Sequence, residues 1–163
     1  MLTEARKKNG FIGCMTIQEN MTLTILKEIS GRLLIDGKRE RRRAGEYFQK
    51  LNVKAPSLDT PITSLSGGNQ QKVILAKWLI TQLRVLLLDE PTRGIDVGTK
   101  SEIYKLMLEL SAKGISIVMI SSELPELIAM CDRFVVLGKG RVQKVLEKKE
   151  ASEVAILRAA SNT

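Results

Sequence analysis

Leu65-Ser66-Gly67-Gly68-Asn69-Gln70-Gln71, then an apolar stretch, then Val85-Leu86-Leu87-Leu88-Asp89-Glu90-Pro91-Thr92, is the part of the chain on which the fold turns. Ser66 can cap a helix, and Val73, Ile74, Ala76, Trp78, Leu79 and Ile80 after it are apolar almost all round. That pattern predicts a buried helix over about residues 67–83. Residues 85–88 are short and continuously apolar, as in a strand buried on both faces.

Both ends of this stretch carry residues suited to phosphate chemistry. Glycines allow close backbone approach to a phosphate, and the helix that follows presents N–H groups and the positive end of its dipole. Ser66 adds a hydroxyl that can donate to a phosphate oxygen. Alone, Ser-Gly-Gly is only a loop, and most such triplets bind nothing. Asp89 and Glu90 end the apolar strand at the carboxyl edge, where open α/β sheets place their ligands. Asp89 suits Mg²⁺, which prefers hard oxygen ligands, and Glu90 can polarise an attacking water as a general base. The plainer alternative is a pair of solvated acids at a strand end.

Downstream, Thr99-Lys100-Ser101-Glu102 reads as a capping box opening a helix with the stripe Ile103, Leu106, Met107 and Leu110, and Gly114 fits its C′ position. Residues 115–120 form a second apolar run, expected as a buried strand, and Ser122 is a candidate cap for a helix over 123–130, with Pro125 in its first turn. Residues 134–137 and 141–146 flank Gly138-Lys139-Gly140 as a hairpin, and 150–160 read as a last helix. Strand, helix, strand, helix after residue 84 implies parallel pairing with right-handed crossovers.

Upstream the character changes. Thr16-Ile17-Gln18-Glu19 reads as a capping box opening a helical stretch toward Ser30 and Gly31. Asp36-Gly37 signals a turn, residues 38–51 a charged helix, and Pro56 and Pro61 bracket a loop over 55–64. The first third is expected to be helical, without a firm strand.

The 163 residues suffice for one core, and the 44% apolar and 27% charged fractions are those of a soluble globular protein. No apolar run approaches the roughly 18–20 residues that span a bilayer, and residues 1–8 are not followed by a secretory h-region, so a cytosolic chain is expected. Cys14 and Cys131 have no CxxC spacing and read as reduced thiols. A net charge of +8 suggests an acidic partner: nucleotide, nucleic acid or an anionic membrane face. The densest cluster, Lys38-Arg39-Glu40-Arg41-Arg42-Arg43, lacks interleaved aromatics, so it reads as a solvated helix face and nucleic acid is not expected. With no histidine, a His base, triad or zinc ligand would have to come from elsewhere.

Leu-Ser-Gly-Gly-Asn-Gln-Gln-Lys (65–72) and Asp-Glu-Pro-Thr-Arg-Gly-Ile-Asp-Val-Gly (89–98) together resemble the signature motif, Walker B motif and D-loop of an ATP-binding cassette (ABC) ATPase. The chain resembles the ATP-binding subunit of bacterial monosaccharide importers of the ribose/galactose/xylose type, and these runs look most like its second nucleotide-binding half. Ser121-Ser122-Glu123-Leu124-Pro125-Glu126 and Asp132-Arg133 continue it; Glu19-Asn20-Met21-Thr22-Leu23 and Glu4-Ala5-Arg6-Lys7 extend it more weakly, Thr3 and Ala5 departing from the family pattern. The resemblance implies an α/β chain with a partial P-loop NTPase fold. Residues 1–64 would be a mainly helical subdomain segment, and 65–163 the signature helix and C-terminal part of a parallel-sheet core, in one incomplete domain. It implies ATP and Mg²⁺ as ligands, with Ser66, Gly67, Gly68 and Asn69 acting in trans on a partner's ATP. Asp89 would serve the metal, Glu90 catalysis, and Asp96 the D-loop. The implied partners are another nucleotide-binding half and the transmembrane permease subunits of a sugar importer, with the chain cytoplasmic and peripheral on the membrane's inner face.

Two departures qualify this. The P-loop pattern GxxxxGK[ST] does not occur; the nearest candidate, residues 31–38, has one residue too many and is followed by Arg39. In the family the P-loop precedes the Glu4 region, so the chain is expected to begin after it and to be inactive alone. Second, Ser122 stands at the switch position, where cassette ATPases usually carry a His. A short neutral hydroxyl cannot stabilise charge as an imidazolium would. The alternatives are a catalytically dead regulatory module or gene-fragment remnant, and a chromosome-maintenance ATPase lobe. The last would predict a heptad-rich coiled coil before the signature, and residues 16–60 hold no sustained a/d repeat.

Overall fold

The computed structural model describes residues 10–31 and 34–161. The Glu4–Lys7 part of the resemblance, and Arg32 and Leu33 of the rejected P-loop candidate, lie outside them. The chain forms two compact units, Met1–Val118 and Met119–Thr163.

The first unit is built around one buried helix. Helices α1 (Ile17–Thr22) and α2 (Leu26–Ile29), joined by a 3₁₀ turn at Leu23–Ile25, are followed by α3 (Gly37–Lys50) and α4 (Gly67–Leu79). Thr16 forms the expected capping box with Glu19. Asp36 does more than turn the chain: its carboxylate accepts from the N–H groups of Lys38 and Arg39 and caps α3. Ile17, Met21, Ile62, Val73, Leu75 and Ile80 are fully buried, Ile80 packing with Ile25 and Ile29, which removes apolar surface from water at about 25 cal/mol per Å².

Helix α4 is buried on nearly all sides, and its buried polar side chains each reach a backbone carbonyl. Gln70 donates to Ile62 and Leu65, Gln71 to Pro91, Lys72 to Asn52 and Lys77 to Gly10. Burial pushes the Lys77 amine below its usual range. The helix stops at Leu79, four residues before the predicted end. Tyr47 Oη donates to the Leu79 carbonyl and Arg43 Nη2 to that of Ile80, while Gln82 turns to φ 52°. Donors brought from α3 thus satisfy the carbonyls that another helical turn would have used.

The basic segment of α3 is only partly a solvated face. Arg41 pairs with Asp59, but Arg43 turns inward to Glu28, Glu46 and Ile80. Glu40 is buried, accepting from Thr22 Oγ1 at 2.7 Å and Gln18 Nε2 at 3.1 Å.

After α4 come β1 (Val85–Asp89), α5 (Val97–Ala112) and β2 (Ser116–Ile120), the two strands pairing in a parallel sheet across the helix. Gly114, at φ 84°, closes α5 in a Schellman motif: its N–H donates to Ser111 and that of Ile115 to Leu110. The expectation of strands buried on both faces is corrected. In β1, Leu86 and Leu88 are buried while Val85 and Leu87 are exposed, and Val118 of β2 is exposed as well. A continuously apolar run identifies the strand without revealing which face finds a cover.

The second unit packs α6 (Leu124–Met130) and α7 (Glu153–Ser161) on one face of a hairpin, β3 (Arg133–Gly138) and β4 (Arg141–Glu147). Phe134, Val136, Leu146, Ile156 and Ala159 form its core. Lys139 and Gly140 make the two-residue turn with φ of 48° and 74°, matching strand twist, and a bulge sits between Val136 and Leu137.

Candidate functional site

Ser66 caps α4 with extended backbone, φ −60° and ψ 156°, and its exposed hydroxyl lies at the helix start. Its Oγ accepts from the Asn69 side-chain amide at 3.0 Å and from the Asn69 backbone N–H at 3.5 Å. Asn69 Oδ1 in turn accepts from the Lys54 N–H at 2.8 Å. Gly67 is half-buried, while Gly68 is buried with its bare Cα against α5: a Cβ built there would meet Thr99 Cγ2 at 2.5 Å and Oγ1 at 2.8 Å. The two glycines therefore meet different demands, since Gly68 is required by helix packing whatever approaches Gly67.

Asp89 ends β1, and both it and Glu90 are half-buried. Glu90 takes the left-handed conformation, φ 49°, which breaks the strand and leads into a turn closed from Arg93 N–H to the Glu90 carbonyl at 3.3 Å. A non-glycine residue there costs about 1–2 kcal/mol, and such strain gathers at functional sites.

Asp96 begins α5, where Thr99 was expected. Asp96 Oδ1 accepts the Thr99 N–H at 2.9 Å and Oδ2 accepts the Thr99 hydroxyl at 2.7 Å. Thr99 is the third helical residue, so the Thr99–Glu102 capping box is not formed in that role. These bonds, the Thr99 N–H foremost, hold the Asp96 carboxyl below the usual carboxylate range.

One tie joins the glycine-rich helix to the acidic turn, and two more join it to α5. Gln71 Nε2 donates to the buried Pro91 carbonyl at 2.7 Å. Lys72, almost buried, pairs with Glu102 at 2.5 Å, holding that carboxyl low. Gly68 packs on Thr99. Ser66, Gly67, Gly68, Asn69, Asp89, Glu90 and Asp96 thus belong to one scaffold in the first unit.

Ser122 belongs to the second unit, exposed before α6. It is not the cap of that helix. Ser121 Oγ accepts the Glu123 N–H at 3.1 Å and donates to buried Glu126. Glu123 occupies the cap position and makes no side-chain cap bond there.

Gln71, Thr99 and Lys54 were missed as supports of the site. Gln71 lies in the motif itself and was legible as a buried polar residue needing a partner. The Lys54 contribution is a backbone N–H and leaves no trace in residue type.

Among the described residues no three His, Cys, Asp or Glu side chains gather as a metal cage. Mg²⁺ does not need one: it is commonly held by one or two carboxylates together with substrate phosphates and water. The half-buried Asp89 carboxylate fits that manner of binding. No described helix is long and apolar enough to cross a membrane.

A parallel strand pair ending in an acidic turn, tied to a glycine-started helix, defines part of a P-loop NTPase of the ABC type. Residues 3–93 match the family model described as ABC transporter, and the chain belongs to that family. It is 50% identical over 162 residues to the ribose import ATP-binding protein of Hahella chejuensis, covering 99% of this chain and 32% of that protein. The protein of the same description from Geobacillus kaustophilus is 48% identical over 161 residues, covering 99% and 33%. The chain thus spans about a third of the length of the curated relatives it matches. Among solved structures, the dimeric ATP-binding cassette MJ0796 in a post-hydrolysis state with ADP and Pi superposes with a TM-score of 0.71 at 26% identity, covering 85% of this chain and 59% of that one. The CbiO1 protein from Clostridium perfringens, part of the transporter complex CbiONQ, gives 0.70 at 26%, covering 92% and 58%.

Proposed function

We propose that this chain supplies the signature and Walker B elements of an ATP-binding cassette that energises sugar import. The observation that carries this is the tie from Gln71 to the Pro91 carbonyl, which fixes the helix begun by Ser66 to the turn begun by Glu90. Support for sugar as the cargo comes from the relatives described as ribose import ATP-binding proteins. A dimeric cassette with bound ADP and Pi among the structural neighbours supports action across two nucleotide-binding halves.

In this reading Ser66, Gly67, Gly68 and Asn69 form the helix start that acts in trans on an ATP held by the P-loop of another half. The Ser66 hydroxyl donates to a phosphate oxygen, and the positive end of α4 favours the charge that develops in transfer. Asp89 would hold Mg²⁺, which when bound neutralises phosphate charge. Glu90 would accept a proton from the attacking water. Asp96 keeps the intervening loop at the start of α5, and Ser122 stands where a charged imidazole would otherwise help. The partners are a second nucleotide-binding half and transmembrane permease subunits, placing the chain at the inner membrane face.

Because these 163 residues contain no GxxxxGK[ST], the purified chain alone should bind Mg-ATP more weakly than about 0.1 mM and turn over negligibly. Adding a P-loop-bearing cassette half should produce ATP-dependent association and hydrolysis. Calorimetry on the chain alone showing tighter binding with turnover would sink the reading, as would a mixed sample that never associates.

A further inference from the structure

Resting on that reading, we infer that Asn69 is a positioning residue: clasped by the Lys54 N–H, it holds the Ser66 hydroxyl as a hydrogen-bond donor toward the phosphate. The backbone N–H of Lys54, 2.8 Å from Asn69 Oδ1, can only donate. Turning the amide over would set its NH₂ against that N–H, donor against donor, so the orientation is decided by the fold. The Asn69 NH₂ therefore faces Ser66 and donates to its Oγ at 3.0 Å, while the Asn69 backbone N–H approaches the same oxygen at 3.5 Å.

A serine hydroxyl has two acceptor lone pairs and one proton. With N–H donors occupying the acceptor side, the proton must be directed elsewhere. Among the described residues it meets no acceptor, and Ser66 is exposed at the start of α4. The hydroxyl is thereby preset to meet an anion oxygen, without the cost of reorienting when one arrives. Lys54 belongs to the loop after α3, so the clasp also ties hydroxyl direction to that loop's position.

Asn69→Asp separates this role from direct contact with nucleotide. An aspartate keeps the acceptor for Lys54 but can only accept from Ser66, turning the hydroxyl proton inward. In the isolated chain, the Asn69 side-chain amide resonances in nitrogen-edited NMR spectra should shift in Ser66→Ala and exchange with water several-fold faster. Unmoved resonances overturn the inference whether or not the chain acts on ATP. In the chain assembled with a P-loop-bearing half, Ser66→Ala and Asn69→Asp should each lower kcat by about tenfold or more, with KM changed far less. The double variant should match the worse single variant within about twofold. Effects that multiply to about a hundredfold would instead mean that residue 69 acts on the nucleotide by itself, and would overturn the inference. Should the unsubstituted chain gain no activity on assembly, the reading of function fails, and the NMR result alone decides the Asn69 role.

Discussion

Gln71 Nε2 sits 2.7 Å from the carbonyl oxygen of Pro91, and both residues are buried. One amide side chain thus joins the helix begun by Ser66 to the residue after Glu90. Gln71→Leu keeps the volume and leaves the Pro91 carbonyl without its donor, so it should cost about 1–3 kcal/mol. A shift of the urea midpoint with unchanged m-value is the check. No shift would mean the bond contributes nothing to holding the acidic turn.

Gly68 and Thr99 meet with no room between them. Gly68→Ala would place a methyl 2.5 Å from Thr99 Cγ2, so α4 and α5 must separate, at about 1–3 kcal/mol. Thr99→Ala removes Cγ2 and Oγ1 but not Cβ, which still lies at 2.9 Å. The double variant should therefore recover part of the lost stability. Thermal unfolding of the two single variants and the double variant reads this directly; simple additivity would show that the contact is not the cause.

Much of this arrangement was legible in the chain. Ser66 as an N-cap, the acidic end of β1, and Gly114 as a helix stop each rest on residue types with one strong local use. Local patterns were weaker where two residues competed for one role. Asp96 and Thr99 both suit an N-cap, and only the backbone conformation selects Asp96, at φ −72° and ψ 158°. Before α6, Ser122 suits an N-cap, yet the cap position falls to Glu123, whose N–H donates to Ser121. Long-range contacts were not legible: Tyr47 and Arg43 end α4 from more than thirty residues away, as their sequence separations of 32 and 37 record. The amide of Asn69 was visible in the motif, but its Lys54 partner, a backbone group, was not.

Asp96 makes the α5 cap sensitive to acid. Its folded carboxyl titrates below its ordinary value because Thr99 donates twice to the ionised form. A depressed carboxyl adds stability that is fully present above the ordinary value of about 4, and loses it as pH falls through the lower folded value. Asp96→Asn keeps the cap without the charge, so its stability should fall less steeply than that of the native chain across this acid window. Asp96→Ala should be weaker at neutral pH as well. Unfolding midpoints at a series of pH values test both, and parallel curves for the native chain and Asp96→Asn would remove Asp96 from the account.

Glu40 offers a test in the helical part of the first unit. Thr22 and Gln18 both donate to it in a buried setting between α1 and α3, and Thr22 is itself fully buried. Glu40→Ala would leave Gln18 Nε2 without its acceptor, while the Thr22 hydroxyl can turn to the Gln18 carbonyl at 3.0 Å. The change should cost about 1–3 kcal/mol. Thr22→Val in the same background removes a hydroxyl that still has this acceptor and should not lessen the loss, as chemical denaturation of both variants will read.

The exposed side of the strand pair carries the last prediction. Val85 and Leu87 of β1 and Val118 of β2 are 52%, 42% and 52% exposed. Uncovered apolar residues on neighbouring strands favour contact with other chains. The purified chain should therefore form oligomers that shrink on dilution in size-exclusion chromatography with light scattering. Leu87→Thr with Val118→Thr places β-branched, strand-compatible residues at both positions while removing apolar surface. Since neither position is buried, the unfolding free energy should change by less than about 0.5 kcal/mol, while association falls. A monomer at every concentration in the native chain would show that this face has no pull on a second copy; loss of stability in the double variant would place those side chains in the folded core instead.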